Sequence, residues 1–175
     1  AMEKKLLAKK IFEVSHLTGT FTLRSGQVSH EYFDKYRFEA MPDLLQEIAN
    51  HMAPLIPVGT EVLAGLEMGG IPVATALSLK TGLPCCFVRK EPKEYGTCQF
   101  AEGLSVTGKK ICIIEDVITT GGQVIISAQD LKKLNAEIIV VDDGSCDGTR
   151  QLVAKYAREL KNLSSKSYTP NHGKG

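Results

Sequence analysis

Four short apolar runs alternate with helical patterns along most of this chain, and that rhythm restricts its fold more than any other feature. The runs are Val62-Leu63-Ala64, residues 85–88, residues 111–114 and residues 138–141. Three or four consecutive apolar residues suit a strand covered on both faces better than a helix, which needs a longer periodic pattern. Helical patterns follow the first, third and fourth runs. They cover residues 72–80, residues 122–134, and a last stretch with Leu152, Val153, Tyr156 and Leu160 on its inner side. Strand, turn, helix and strand in this order predict an α/β fold, a parallel sheet flanked by helices. Ligands of such folds collect at the carboxyl ends of the strands, so the turns after the strands are where chemistry is expected.

Two helices are predicted upstream. Residues 3–14 carry Leu6, Leu7, Ile11 and Phe12 at helical spacing. A second helix from residue 43 carries Leu44, Leu45, Ile48, Met52 and Leu55 on one face, with Pro54 near its end. Between them, residues 18–29 are turn-rich, with Gly19 and Ser25-Gly26. The connection over residues 90–103 is polar and long for an internal loop, a length that often marks a lid.

The chain has 175 residues, 43% hydrophobic and 23% charged, with a formal net charge of +1. This suits one soluble domain and argues against a partner made of nucleic acid or an anionic membrane. The apolar runs are far shorter than the roughly 20 residues that span a bilayer. Glu3-Lys4-Lys5 leads into an amphipathic pattern rather than the apolar centre of a signal peptide, so a cytoplasmic location is expected. The five cysteines, Cys85, Cys86, Cys98, Cys112 and Cys146, include no C-x-x-C pair for zinc or redox chemistry. Cys85, Cys86 and Cys112 fall in strand-like runs, where a thiol acts as a small hydrophobe and suits a reducing compartment.

The sharpest motif is Ile111-Cys112-Ile113-Ile114-Glu115-Asp116-Val117-Ile118-Thr119-Thr120-Gly121-Gly122-Gln123. A strand delivers two adjacent carboxylates, and a turn of two threonines and two glycines then opens a helix. Glycines let the backbone approach an anion, and a helix N-terminus offers unpaired N–H groups and a partial positive charge. Thr119 and Thr120 add hydroxyl donors to the same anion. Glu115 and Asp116 suit neighbouring sugar hydroxyls, so the segment reads as a ribose grip beside a phosphate cradle.

This stretch closely resembles the signature of type I phosphoribosyltransferases, which bind phosphoribosyl pyrophosphate (PRPP). The resemblance implies that Glu115 and Asp116 hold the ribose 2′- and 3′-hydroxyls and that Thr119, Thr120, Gly121 and Gly122 hold the 5′-phosphate. Two further segments resemble the orotate branch of that family. Phe21-Thr22-Leu23-Arg24-Ser25-Gly26, followed by Tyr32-Phe33-Asp34, is similar to its N-terminal hood, where Arg24 would reach the pyrophosphate and Tyr32 and Phe33 would lie near the base. Val88-Arg89-Lys90-Glu91-Pro92-Lys93-Glu94-Tyr95-Gly96 resembles its mobile catalytic loop. Arg89, Lys90 and Lys93 would there meet a departing pyrophosphate, whose charge grows in the transition state. Tyr95 stands where that family often has His. Gly65-Leu66-Glu67-Met68-Gly69-Gly70-Ile71-Pro72 is similar to the family's pyrophosphate loop, with Met68 and Gly69 in place of more polar residues.

The resemblance thus implies the type I phosphoribosyltransferase fold and transfer of ribose 5-phosphate from PRPP to orotate. Lys90, Lys93 and Asp116 would carry the catalysis. Mg²⁺ would be held through PRPP rather than in a protein cage, and a homodimer would form in which the loop reaches the neighbouring site. The expected organisation is one domain over residues 1–163, with a hood over 1–40, a core over 41–136 and a divergent strand and helix over 137–163. A loose polar tail is expected over 164–175. Alternatives are a phosphoribosyltransferase for another base and a PRPP-binding protein without transferase activity.

After residue 136 the pattern departs. The family would place an Arg for the orotate carboxylate where this chain has Asp143, and its last strand and helix have no evident counterpart. Residues 139–149, Ile-Val-Val-Asp-Asp-Gly-Ser-Cys-Asp-Gly-Thr, instead resemble the nucleotide-binding strand of family 2 glycosyltransferases. That likeness covers residues 139–175 and lacks that fold's first strand and its metal motif.

Overall fold

Strand β3 (Val62–Leu66) is buried at every residue and forms the middle of a six-stranded sheet. The computed structural model describes residues 1–97, 99–115, 122–134, 137–142 and 163–167. Helix α1 (Lys4–Ser15) leads into a hairpin of β1 (His16–Thr22) and β2 (Val28–Phe33), followed by α2 (Lys35–Glu39) and α3 (Pro42–Met52) with a 3-10 turn at Ala53–Leu55. After β3 come α4 (Gly70–Thr81), β4 (Cys85–Val88), β5 (Ala101–Glu102), β6 (Lys110–Ile114), α5 (Gly122–Lys132), β7 (Glu137–Asp142) and β8 (Leu163–Ser167). The strand order is β5-β4-β3-β6-β7-β8, parallel throughout except for the antiparallel β4–β5 pair.

Alternation along the strands sorts the core into two layers. Val62, Ala64 and Leu66 of β3 pack with Cys86, Val88, Ile111 and, from α5, Ala128 and Leu131. Leu63 faces the other way and joins Val73, Ala74 and Leu77 of α4, Ala49 of α3, and Cys112 and Ile114 of β6. A third cluster, Leu7, Phe38 and Leu44, ties α1, α2 and α3 together. Burial pushes the Cys86 thiol up to about 12, with Cys85 adding to the effect, and the Cys112 thiol up to about 11. Both therefore stay protonated and pack as small hydrophobes. No helix among the described residues is long and apolar enough to cross a membrane.

Each apolar run forms its expected strand. Several elements were not anticipated from the apolar pattern, among them the β1–β2 hairpin that occupies the turn-rich stretch. Helix α2 is too short for a periodic pattern; it starts where the Asp34 side chain accepts the Tyr36 N–H at 3.2 Å. Strand β5 is only two residues long and interrupts the long loop, because residues 101 and 102 lie in register with Val88 and Phe87. Strand β8 is Leu-Ser-Ser-Lys-Ser, poor in apolar residues, yet it pairs with all but the first residue of β7. It takes its place through the open edge of β7, which corrects the expectation that the sheet lacks its last strand and that residues 164–167 are loose. The expected helix with Leu152, Val153, Tyr156 and Leu160, and also Cys98, Asp143 and Cys146, lie outside the described residues.

Leu77 is fully buried between α4 and the sheet. Leu77→Ala should lower unfolding stability by about 2–5 kcal/mol, as Leu-to-Ala changes in packed cores do. Urea denaturation checks this; a loss well under 1 kcal/mol would show that the layer relaxes into the space.

Candidate active site

Strands β4, β3 and β6 lie side by side and parallel, so their carboxyl ends share one edge. Leu66 is in register with Val88, and Gly65 with Ile114. Strand order reverses about β3: β4 is added on one side and β6 on the other, which is the switch point where open α/β sheets take their ligands. Three loops leave this edge, after Leu66, Val88 and Ile114.

Two glycines bring the first and third loops together. A Cβ on Gly65 would lie 2.8 Å from the Gly70 carbonyl and 2.9 Å from the Ala74 Cβ, so only glycine lets α4 settle this close to β3. A Cβ on Gly70 would run into the Ile114 carbonyl and sit 3.5 Å from the Glu115 Cα. The N-terminus of α4 is therefore seated directly against the end of β6, beside the first of the paired carboxylates. The loop between them contains a cis peptide at Glu67–Met68 and turns through an Ile71 N–H to Met68 carbonyl bond of 3.2 Å.

The first loop is also joined to the second. The Glu67 N–H donates to the Val88 carbonyl at 2.9 Å, and the Glu67 carboxylate accepts the Lys90 N–H. Beyond it, the Arg89 N–H donates to the Phe100 carbonyl at 2.6 Å. Both Lys93 Nζ, at 2.9 Å, and Arg89 Nε, at 3.3 Å, donate to Glu102 Oε1 on β5. Lys93, and then Arg89, hold the Glu102 carboxyl below the usual carboxylate range. Lys93 Nζ also lies 5.8 Å from the centre of the Tyr95 ring.

At this edge the Lys90 backbone is tied to Glu67 and Glu115 lies beside Gly70, while the Arg89 and Lys93 side chains reach Glu102 on β5. Asp116, Thr119, Thr120 and Gly121 lie outside the described residues, and Gly122 is the first residue of α5. Arg24 is exposed on the hairpin turn, which closes through bonds of 2.8 Å between Leu23 and both Gln27 and Gly26. Tyr32 stacks on Phe21 across the hairpin with ring centres 5.5 Å apart, while Phe33 tilts against Phe38 at 6.2 Å. As successive residues of β2 they point to opposite faces. Sequence reasoning missed that Glu102 gathers two of the loop cations. A signal was present, since an acid follows three basic residues within one loop, but pairing across 9 to 13 residues depends on the β4–β5 register.

A central parallel sheet, a switch point at β3 and β6, and a carboxylate at the strand end make this a type I phosphoribosyltransferase fold. The profile of the Phosphoribosyl transferase domain family matches residues 32–162. Its span runs past residue 136, through the strand-and-turn segment that resembles a glycosyltransferase. The orotate phosphoribosyltransferase of Nocardioides sp. is 55% identical over 135 residues, covering 77% of this chain and 75% of that protein. Among solved structures, the orotate phosphoribosyltransferase of Mycobacterium tuberculosis H37Rv with Fe(III) dicitrate superposes with a TM-score of 0.73 at 27% identity, covering 98% of this chain and 99% of that one. The same enzyme in complex with PRPP gives a TM-score of 0.70 at 25% identity, with the same coverage. This chain belongs to the orotate phosphoribosyltransferase family.

Gly70→Ala should force α4 away from the end of β6, lowering stability by about 1–3 kcal/mol, as overpacking does, and weakening PRPP binding. Thermal unfolding and calorimetric PRPP titration test this; wild-type values in both would mean that the two loops do not need this close approach.

Proposed function

We propose that the chain transfers ribose 5-phosphate from PRPP to a ring nitrogen of orotate, forming orotidine 5′-phosphate and releasing pyrophosphate, a step of pyrimidine nucleotide biosynthesis. The observation that carries this reading is the meeting of a cationic, a glycine-rich and a carboxylate-bearing loop at one edge. It occurs in a chain 55% identical to an orotate phosphoribosyltransferase over 135 residues.

In this reaction the bond from ribose C1 to the pyrophosphate oxygen breaks while the base nitrogen forms a new bond to C1. Positive charge builds on the ribose ring, and negative charge builds on the departing pyrophosphate. Glu115 and Asp116 are assigned to the ribose hydroxyls, where fixed carboxylates also favour a positive ring. Thr119, Thr120, Gly121 and Gly122 are assigned to the 5′-phosphate. Arg24, Arg89, Lys90 and Lys93 are assigned to the pyrophosphate, whose developing charge rewards preplaced cations. Closure of the loop would keep water from the reactive sugar. Only one aromatic of β2 can face a given base; Tyr32 fits better, because Phe33 turns toward the buried Phe38.

Mg²⁺ fits the donors at this edge. Glu115 and Asp116 offer hard oxygen atoms of the kind Mg²⁺ takes, and the phosphates of PRPP would supply the rest. When bound through PRPP, the ion would offset charge on the pyrophosphate. We also assign the chain to the cytoplasm, where reducing conditions keep buried thiols such as Cys86 and Cys112 reduced. A homodimer is consistent with exposed apolar residues on the hood, including Leu6, Phe12 and Tyr36. A second reading, a phosphoribosyltransferase for another base, is favoured by Asp143, since an acid would repel the orotate carboxylate.

Mixing enzyme, Mg²⁺ and PRPP with orotate should consume orotate, seen in its absorbance, with one pyrophosphate released per orotate. Untouched orotate with intact PRPP binding would move the reading to another acceptor or to binding without transfer. Lys93→Ala should lower turnover by roughly 10²-fold or more while changing PRPP affinity far less, and Asp116→Asn should weaken PRPP binding. Equal losses for K93A, or wild-type affinity for D116N, would remove those roles. Mixed K93A and D116N subunits should regain activity if each loop serves its neighbour's site; no gain over the separate variants would place each loop in its own site.

A further inference from the structure

Glu102 has no part in the reading above, yet it receives two of the cations that reading needs. Its Oε1 lies 2.9 Å from Lys93 Nζ and 3.3 Å from Arg89 Nε. The Lys93 side chain is only 16% exposed and that of Glu102 25%, so the pair is shielded more than an ordinary surface bridge. The surroundings favour this arrangement. Gly96, at φ +63°, turns the chain back over the Lys93 stem, where a Cβ would sit 3.6 Å from Cε. The loop is tied at both ends, by the Lys90 N–H on Glu67 and the Arg89 N–H on the Phe100 carbonyl. An ammonium held this way already has a carboxylate partner and is turned toward β5.

We propose that Glu102 is a positioning residue that latches Lys93 and Arg89 onto the sheet edge, so that loop closure exchanges its carboxylate for the departing pyrophosphate. This rests on the assignment of the loop cations to pyrophosphate made above. The exchange has a kinetic consequence. Releasing a carboxylate opposes closure, and the opposition is offset most fully when pyrophosphate charge is greatest, as the C1–O bond breaks. The latch therefore restrains closure over a bound but unreacted substrate. A partly exposed bridge of this kind has a modest strength, so its release should change rates by about three- to tenfold rather than by orders of magnitude.

The test uses the full chain with Glu102→Gln, which keeps shape and removes charge, alone and combined with Lys93→Ala. Hydrogen exchange of residues 90–97 is followed without ligand, and the single-turnover rate of orotidine 5′-phosphate formation is measured at saturating PRPP and orotate. E102Q should speed loop exchange by about three- to tenfold while leaving β3 and β6 unchanged, which reports intact folding. It should raise the single-turnover rate by a similar factor with PRPP affinity within about twofold, and this gain should shrink in the K93A background, where only Arg89 remains to be released. Unchanged loop exchange, or an unchanged or lower single-turnover rate with loop exchange accelerated, overturns the latch. Wild-type turnover in K93A alone overturns the assignment of Lys93 instead, and loop exchange in E102Q then still reports whether the carboxylate restrains the loop.

Discussion

The close approach of β3, α4 and β6 is the contact on which the rest of the molecule depends. Gly65 and Gly70 have no side chains where backbone meets backbone, and Ala74 closes the remaining gap. That allows Leu63, Val73, Leu77 and Ile114 to pack as one layer beneath α3. It also seats a helix N-terminus beside Glu115. Stability and the site's geometry thus share a single constraint, because the layer that drives folding also sets how near the loops lie.

A second constraint is electrostatic. The carboxyl edge brings acids and cations from separate segments together: Glu67 holds the Lys90 backbone, and Glu102 holds the Arg89 and Lys93 side chains. PRPP is strongly anionic, so a family member must present cations to it and still keep them ordered without it. Unpaired cations on a long loop would repel one another and lose side-chain entropy on ordering. Glu67 holds the loop by its backbone and Glu102 by its side chains, which leaves the loop ordered and free to exchange partners. The short strand β5 matters for this reason. Two residues of antiparallel pairing place the Glu102 carboxylate within reach of Arg89 and Lys93.

The hood is built by different means. Its hairpin is mostly exposed, and it is attached to the core through Leu7, Phe38 and Leu44 with Ile48 alongside. Local contacts order it: Phe12 stacks on His16 at 4.5 Å, and Phe21 on Tyr32 at 5.5 Å. Such an element leans on the core through a few side chains and is not part of the central sheet.

Much of this was legible before any coordinates. The apolar runs at 62, 85, 111 and 138 announced buried parallel strands because such strands need hydrophobic residues on both faces, a pattern written in adjacent positions. The carboxylate pair, the glycine-rich turns and the basic loop were equally visible, since each works through residue types at fixed local spacing. The sequence by itself therefore determined the fold class and the family resemblance. What it could not show were β5, β8 and the grip of Glu102 on Lys93 and Arg89. Each of these is decided by register between segments far apart in the chain. Leu-Ser-Ser-Lys-Ser becomes a strand only because β7 offers an open edge, and Glu102 meets the cations only because residue 102 pairs with residue 87. Local propensity carries no record of such pairings; the tertiary structure decided them by bringing unsatisfied backbone and unpaired charge together.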